Sequence, residues 1–324
     1  MQARGVAEAL AERGQHGLEH ARIDRRRRVV IQVDALHDAI LPPARFFSTI
    51  RGMPTIVALL SDFGTQDHYV GAMKGAILSV CPDAQLVDVV HELPPHDVEA
   101  GSFVLAAAVE AFPTGTVFLA VVDPGVGTPR RALAVQTEAH RFVAPDNGLL
   151  THILADHHAA RVHEITNAGL FRFHVSPTFH GRDVFGPVAG HLARGMPIEE
   201  VGPVAEEPHR LALPAVRRRS KDEWEGEVGY VDRFGNLTTN VSDRDLSELL
   251  SNFGGDPTEV VVVVEGTVLP LVRTYGDVSE GEPCALVGSS RRLEIAIHGG
   301  NAARILGAAR GASVRIRPAL GGRS

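Results

Sequence analysis

The chain has 324 residues, of which 44% are hydrophobic and 22% charged, with a formal net charge of −7 and a pI near 6.1. This is the composition of a globular polypeptide long enough for two domains, and its acidic balance argues against a nucleic-acid partner, which normally meets a basic face. Two cysteines, Cys81 and Cys284, exclude a disulfide framework and a cysteine-based zinc site and fit a reducing, cytoplasmic setting, while no apolar run reaches the roughly 18 residues of a membrane span.

Residues 1–52 are unpatterned. They hold the run Arg25-Arg26-Arg27-Arg28 among scattered acids (Glu8, Glu12, Glu19, Asp24, Asp34, Asp38). The apolar core of a secretory signal is missing, and the acids argue against a transit peptide. An anionic contact by the arginines is one reading. The other, which we adopt, makes 1–53 a disordered or non-native extension with Met53 as the natural start.

From Pro54 the pattern becomes regular. The expected elements are a strand at 55–60, a helix at 69–80 that stops before Pro82, a strand at 85–90, and a helix to Ala111 capped by Asp97. Strands follow at 117–122, 131–136 and 141–143, then a helix at 148–156, a strand at 162–166 and a helix at 182–194. Strands alternating with helices of about 10–15 residues predict βαβ units around a mostly parallel sheet, an α/β domain over 54–205. Residues 206–225, with Pro208, Pro214 and a charged run from Arg217 to Glu223, read as a linker. Beyond it, short strands at 226–231, 260–264, 284–287, 293–297 and 313–316, with one helix at 243–251, predict a smaller, mainly β, barrel-like domain over 226–319.

Four polar clusters stand at the ends of apolar segments. Ser61-Asp62-Phe63-Gly64 follows the first strand, where a carboxylate is well placed for a ribose diol. Its Asp-Phe-Gly lacks the companion motifs of a kinase. Asp123-Pro124-Gly125-Val126-Gly127-Thr128-Pro129-Arg130-Arg131 follows the third strand. Its glycines permit a tight turn that would let Asp123 and Arg130 fold back on each other; alone, it also fits a structural turn with an ion pair. Ala144 to Leu150 contains Asn147-Gly148, with Asp146 or Asn147 as a possible N-cap. Thr178-Phe179-His180-Gly181-Arg182-Asp183 sets a histidine at the start of a helix. None of the 16 histidines forms a His-Glu-x-x-His pair.

Taken in order, these segments resemble the S-adenosyl-L-methionine (SAM) hydroxide adenosyltransferases, or SAM hydrolases, relatives of the fluorinase and chlorinase enzymes. The likeness spans roughly residues 54 to 317. It rests on 61–64, Tyr69-Val70-Gly71 with Lys74-Gly75, 123–131, 144–150, 178–183, Asp232-Arg233-Phe234-Gly235-Asn236, and Leu293-Glu294-Ile295-Ala296 with Gly300-Asn301-Ala302.

The resemblance implies a catalytic Asp123, Arg130 and His180 around a water. It implies attack on C5′ of SAM to give adenosine and L-methionine, with SAM as substrate, no cofactor and no metal. The halogenating relatives lack this acid, the fluorinase carrying a tyrosine there, so Asp123 favours water over halide. Which triad member takes the proton stays open. Asp62 matches the ribose-diol ligand. Asp232 and Ser289 match groups on the methionine amine and carboxylate, and Asn236, Phe234 and the Ala302 backbone match adenine contacts. Residues 232–236 also fit a plain hairpin turn. The family more often carries Asn-Ser-x-Gly-aromatic where this chain has Gly288 to Arg292, and Arg291 or Arg292 is a candidate for the carboxylate. His96 takes the place of a pocket tryptophan in the fluorinase. The family also implies a homotrimer with sites between subunits. The alternatives are a halide adenosyltransferase and a SAM or adenosine sensor without turnover.

Overall fold

The computed structural model describes residues 55–319, and the extension expected over 1–53 lies outside them. The first strands are β1 (Ile56–Ser61), β2 (Gln85–Val90) and β3 (Val117–Val121), followed by β4 (Ala132–Gln136), β5 (Arg141–Pro145) and β6 (Arg161–Glu164). They form one sheet in the order β2-β1-β3-β5-β4-β6. β2, β1, β3 and β5 run parallel, and β4 alone is reversed, pairing antiparallel with β5 and β6.

Strands buried on both faces need continuous apolar runs. In β1, Val57 and Leu59 face one way, toward Met73 and Ile77 of helix α1 (Tyr69–Val80). Ala58 and Leu60 face the other way, toward Leu105 and Val109 of helix α2 (Val98–Val109). The two crossovers therefore lie on opposite faces. From β1 the chain moves outward to β2, then returns to pair β3 on the opposite edge of β1. Strand order reverses there, and the carboxyl ends of β1 and β3 border the crevice where such sheets bind ligands. Asp62 follows β1 directly, and Asp123 lies two residues beyond the end of β3.

The helix expected at 182–194 begins instead as one wide turn, Gly181–Phe185, with five-residue hydrogen bonding, and continues as α4 (Gly186–Ala193). Pro187 has no N–H to offer the Asp183 carbonyl, which accepts the Arg172 N–H instead at 3.0 Å. Helix α3 is shorter than expected, Thr151–Asp156, and its N-cap is Leu150 rather than Asp146 or Asn147. Those two side chains are engaged elsewhere. Asp146 accepts from Arg131 Nε (2.7 Å) and the His209 N–H (2.7 Å), while Asn147 Nδ2 donates to the Val122 carbonyl (2.8 Å).

The rest of the chain forms an antiparallel sheet that nearly closes on itself. Its strands are β7 (Arg217–Arg218), β8 (Trp224–Val231), β9 (Leu237–Ser242), β10 (Val260–Val264), β11 (Thr267–Pro270), β12 (Pro283–Val287), β13 (Arg292–Ile297) and β14 (Ser313–Pro318). The order is β11-β10-β14-β8-β9-β13-β12, with β7 on β8. A bridge from Leu271 to Ala285 brings the two outer strands together. Trp224, Val228, Val262, Ile295 and Ile316 fill the interior. Helix α5 (Asp243–Ser251) starts with a reciprocal capping box of Ser242 and Asp245, and a short helix α6 (Ala302–Leu306) follows β13.

The two sheets meet along α2. Phe103 stacks on Tyr230 with centroids 5.2 Å apart, and Arg310 Nη1 holds both oxygens of Asp97 at 2.8 Å. A cavity of about 90 Å³ lies at this junction, lined by residues that include Glu99, His152, Glu227 and Arg292. Among the described residues, no helix is long and apolar enough to cross a membrane.

Candidate active site

Asp123 and Arg130 fold back on each other across the glycine turn. Arg130 Nε donates to both carboxylate oxygens (3.0 and 3.1 Å), and its Nη2 donates to Asp123 Oδ2 at 2.5 Å. The pair is well shielded, with side-chain exposures of 5% for Asp123 and 11% for Arg130. Such a pair is stabilising only with good geometry, because both ions have left water. The fork supplies that geometry. The Arg130 guanidinium also rests on the Phe185 ring, 5.0 Å from its centroid. Phe185 was not singled out from the sequence; its spacing from His180 was the available signal.

His180 joins through the same guanidinium, with Arg130 Nη2 2.8 Å from His180 Nδ1. A guanidinium has only donors, so Nδ1 accepts and the ring proton of a neutral imidazole sits on Nε2. Burial, and next the Arg130 charge, lower the His180 pKa below its ordinary 6.5, so the ring is neutral at pH 7. The turn and the histidine loop also touch through their backbones. Gly127 has φ +78°, and a Cβ there would stand 2.6 Å from the Pro177 carbonyl oxygen. Only glycine allows that approach. Thr128 Oγ1 closes the turn onto the Gly125 carbonyl at 2.6 Å.

The Asp62 loop reaches the same place. Phe63 packs edge-on to Phe179 at 5.9 Å, and Tyr69 does so at 5.2 Å, beside His180. Asp62 Oδ2 accepts the backbone N–H of His96 at 2.8 Å, and His96 adopts the left-handed region with φ +65°. Strained non-glycine backbone of this kind gathers at functional sites. Here His96 contributes its N–H to Asp62 as well as preceding the Asp97 cap. Three loops separated by up to about 120 residues in sequence thus converge at one end of the sheet.

The residues of the C-terminal sheet form a second group. Asp232 accepts from the N–H groups of Phe234 and Asn236 (both 2.8 Å) and from Asn236 Nδ2 (3.1 Å). The segment is indeed a hairpin turn joining β8 and β9. Its tip reaches α6, where Ala303 N–H donates to the Gly235 carbonyl at 2.9 Å. Gly235 has φ +87°, and a Cβ there would fall 2.2 Å from Asn301. Asn236, Phe234 and Ala302 are therefore gathered, with Phe234 75% exposed and Ala302 fully buried. Ser289 is exposed in the turn between β12 and β13. Both neighbouring arginines already have a protein partner: Arg291 pairs with Asp243 at 2.8 Å, and Arg292, which also lines the junction cavity, donates to the Asn240 carbonyl at 3.1 Å. A residue that sequence reading left without a role is Glu294, which accepts the Tyr275 hydroxyl at 2.6 Å. Burial raises the Glu294 pKa, and the charge of nearby Asp232 raises it further against the pull of that hydrogen bond.

Among the described residues, no hydrogen bond, ion pair or ring contact links Asp123, Arg130 or His180 to Ser289, Ala302 or the 232–236 turn. Nor do three or more His, Cys, Asp or Glu side chains converge as metal ligands among them.

Comparison with known proteins matches this two-part architecture. Residues 57–202 match the model of the SAM hydroxide adenosyltransferase N-terminal domain, and residues 226–315 match that of the C-terminal domain. The chain is 39% identical over 263 residues to the (R)-S-adenosyl-L-methionine hydrolase of Salinispora tropica, covering 80% of this chain and 97% of that protein. It is 40% identical over 267 residues to the enzyme of the same name from Thermus thermophilus, covering 80% and 98%. A fluorinase from an Actinoplanes species is 31% identical, over 74% of this chain and 90% of that one. A crystal structure of an uncharacterized conserved protein from Thermotoga maritima superposes with a TM-score of 0.75 at 38% identity, covering 81% of this chain and 99% of its own. On these grounds, the chain belongs to the SAM hydroxide adenosyltransferase family.

Proposed function

We propose that this protein hydrolyses SAM to adenosine and L-methionine by attack of water on C5′ of the ribose. The observation that carries the reading is the Asp123–Arg130–His180 constellation at the switch point of the sheet. The bond to be broken joins C5′ to a sulfonium. Its electron pair leaves on sulfur as a neutral thioether, so departure needs no acid. The chemical demand is for an oxygen nucleophile held in line behind C5′.

The three side chains can meet that demand in distinct roles. The His180 Nε2–H donates to the water oxygen. Arg130 locks both partners and has no acceptor to offer. With His180 Nδ1 already taken by Arg130 and Nε2 protonated, Asp123 is the only member able to accept the water proton. In the proposed step the C5′–O bond forms, the C5′–S bond breaks, and the proton passes to the Asp123 carboxylate and then to solvent. General-base help of this kind is worth about 10²–10⁴-fold, and positioning in a near-attack geometry about 7–11 kcal/mol.

In the same reading, Asp62 holds the ribose diol. The 232–236 turn and Ala302 flank the adenine, and Asp232 with Ser289 holds the amino-acid end. The reaction uses SAM as substrate and no cofactor. The triad and the turn lie in groups that do not touch within one subunit, which supports a homotrimer whose sites are completed by a neighbour's C-terminal sheet. Two free, buried cysteines are consistent with the cytoplasm. Residues 54–205 and 226–319 are taken as the two domains, joined by 206–225.

Incubation with SAM in ¹⁸O-labelled water tests the reaction. Adenosine carrying the label on its 5′ oxygen is expected, with methionine unlabelled. Intact SAM after long incubation with folded protein would overturn the proposal. A 5′-halo-5′-deoxyadenosine formed in chloride or fluoride would move it to the halogenating branch.

A further inference from the structure

A second polar chain runs beside the proposed triad, in residues to which no role has yet been given. Ser61 Oγ lies 2.7 Å from His91 Nδ1, and His91 Nε2 lies 3.1 Å from Asp88 Oδ1. Lys74 Nζ donates to Asp88 Oδ2 at 2.7 Å. The order Ser-His-Asp is that of a hydrolytic triad, but Ser61 has no exposed surface and His91 is 4% exposed. A nucleophile must meet its substrate, and this serine does not.

The directions of the hydrogen bonds show what the chain does instead. The Asp88 carboxylate can only accept, so the neutral His91 ring carries its proton on Nε2. Nδ1 is then an acceptor, and Ser61 donates to it. Ser61 Oγ accepts in turn from the Phe63 N–H at 3.4 Å. All donors point the same way, from the loop outward to Asp88, which strengthens each bond through the next. Burial pushes the Asp88 pKa up, but hydrogen bonds from Lys74 and His91 more than offset it, and the carboxyl stays below its ordinary range.

The same histidine holds the loop by its backbone. The Gly64 N–H donates to the His91 carbonyl at 2.7 Å, and Thr65 Oγ1 donates to Glu92 Oε1 at 2.7 Å. Residue 62 sits between these anchors. Its Oδ2 is held by the His96 N–H from the same 91–96 segment, and among the described residues Oδ1 has no hydrogen-bond partner.

We infer that the buried Ser61 and His91 and the half-exposed Asp88, steadied by Lys74, form a positioning relay that aims the Asp62 carboxylate at the ribose hydroxyls. They are positioning residues and touch no substrate. The inference rests on the reading of Asp62 as the ribose ligand.

The test is discrimination between ribose and 2′-deoxyribose ligands, since a relay that aims Asp62 acts on the hydroxyl contact in particular. The kcat/KM ratio for SAM over its 2′-deoxy analogue is measured for wild type and for D62A, S61A, H91A and D88A. The affinity ratio for adenosine over 2′-deoxyadenosine is measured in parallel by calorimetry. S61A is nearly isosteric, and D88A lies at a half-exposed position, so these two report even if H91A does not fold. Both ratios are expected to fall about tenfold in S61A, approaching D62A, and about threefold in D88A, in line with loss of one buried or one half-exposed hydrogen bond. Wild-type ratios in S61A and D88A, with activity on both ligands falling equally or not at all, overturn the relay. Unchanged ratios in D62A overturn it as well. If wild type does not turn over SAM, the hydrolase reading fails alone, and the calorimetric ratios still decide the relay.

Discussion

The triad end of the N-terminal sheet and the 232–236 turn of the C-terminal sheet are both proposed to touch one substrate, yet they satisfy their polar groups in opposite ways. Asp123, Arg130 and His180 bond to one another across 7 and 50 residues of sequence, in a shielded position, and are held in shape before any ligand arrives. Asp232 and Asn236 bond to each other within one turn, beside a phenylalanine ring left in solvent. The first arrangement is preorganised for chemistry. The second is self-satisfied and must exchange internal hydrogen bonds for substrate ones, which suits binding more than catalysis.

If that contrast is right, damage to the first region removes turnover and damage to the second weakens binding. The largest effect is expected for Asp123→Ala: kcat drops about 10³-fold, while calorimetry finds SAM affinity within about threefold of wild type. Next comes Gly127→Ala, which touches no substrate. A methyl group 2.6 Å from the Pro177 carbonyl oxygen forces the His180 loop away, and a loss of about 10² in kcat is expected from misplacing a catalytic group. Asp232→Ala is expected to raise KM roughly tenfold with kcat little changed. A kcat loss in Asp232→Ala as large as that in Asp123→Ala would erase the distinction between the regions.

Two pH effects follow, both smaller. The lowered His180 pKa means the ring stays neutral to lower pH than an ordinary histidine does. The acid-side decline of kcat/KM should therefore come at lower pH than an ordinary histidine would give, because a protonated Nδ1 cannot accept from Arg130. At the junction of the two sheets, burial, and next the Arg292 charge, lower the His152 pKa to about 4 from 6.5. The unfolded chain then binds a proton that the folded one refuses, so stability is complete above pH 6.5 and is lost between 6.5 and 4. The loss is expected at about 1–3 kcal/mol once solvent screening is allowed for. Thermal melting of wild type should show that decline, and His152→Gln should flatten it.

Much of the N-terminal sheet is legible in the sequence because its physics is local. Continuous apolar runs mark β1 and β3 to β5, and helix spacing marks α1 over 69–80. The C-terminal sheet is less legible. β9, Leu-Thr-Thr-Asn-Val-Ser, is too polar to announce itself, and only pairing with β8 and β13 makes it a central strand. The one-turn distortion at 181–185 traces to Pro187, close in sequence, whereas the loss of the cap at Asp146 depends on Arg131 and on His209, 15 and 63 residues away. In the site, the Asp123–Arg130 turn could be read from its glycines, whereas the tautomer of His180 and the His91 chain depend on contacts across 50 and 30 residues. For Arg291 and Arg292, candidates for the carboxylate through the family resemblance, nothing in the sequence signals the partners they have in the fold, Asp243 and the Asn240 carbonyl.

The parallel pairing of β1 with β3 sets Ser61 beside Val121, so Asp62 and Asp123 emerge within one residue of each other on adjacent strands. That pairing works as a ruler between the proposed ribose grip and the proposed water grip. A slip of one residue would move one acid about 3.3 Å along the sheet and turn it to the other face, which is as large as the whole contact distance between water and C5′ in a reactive pose. Side chains such as Leu59 and Leu119, which never meet the substrate, thus set the dimensions of the molecule the enzyme can cut.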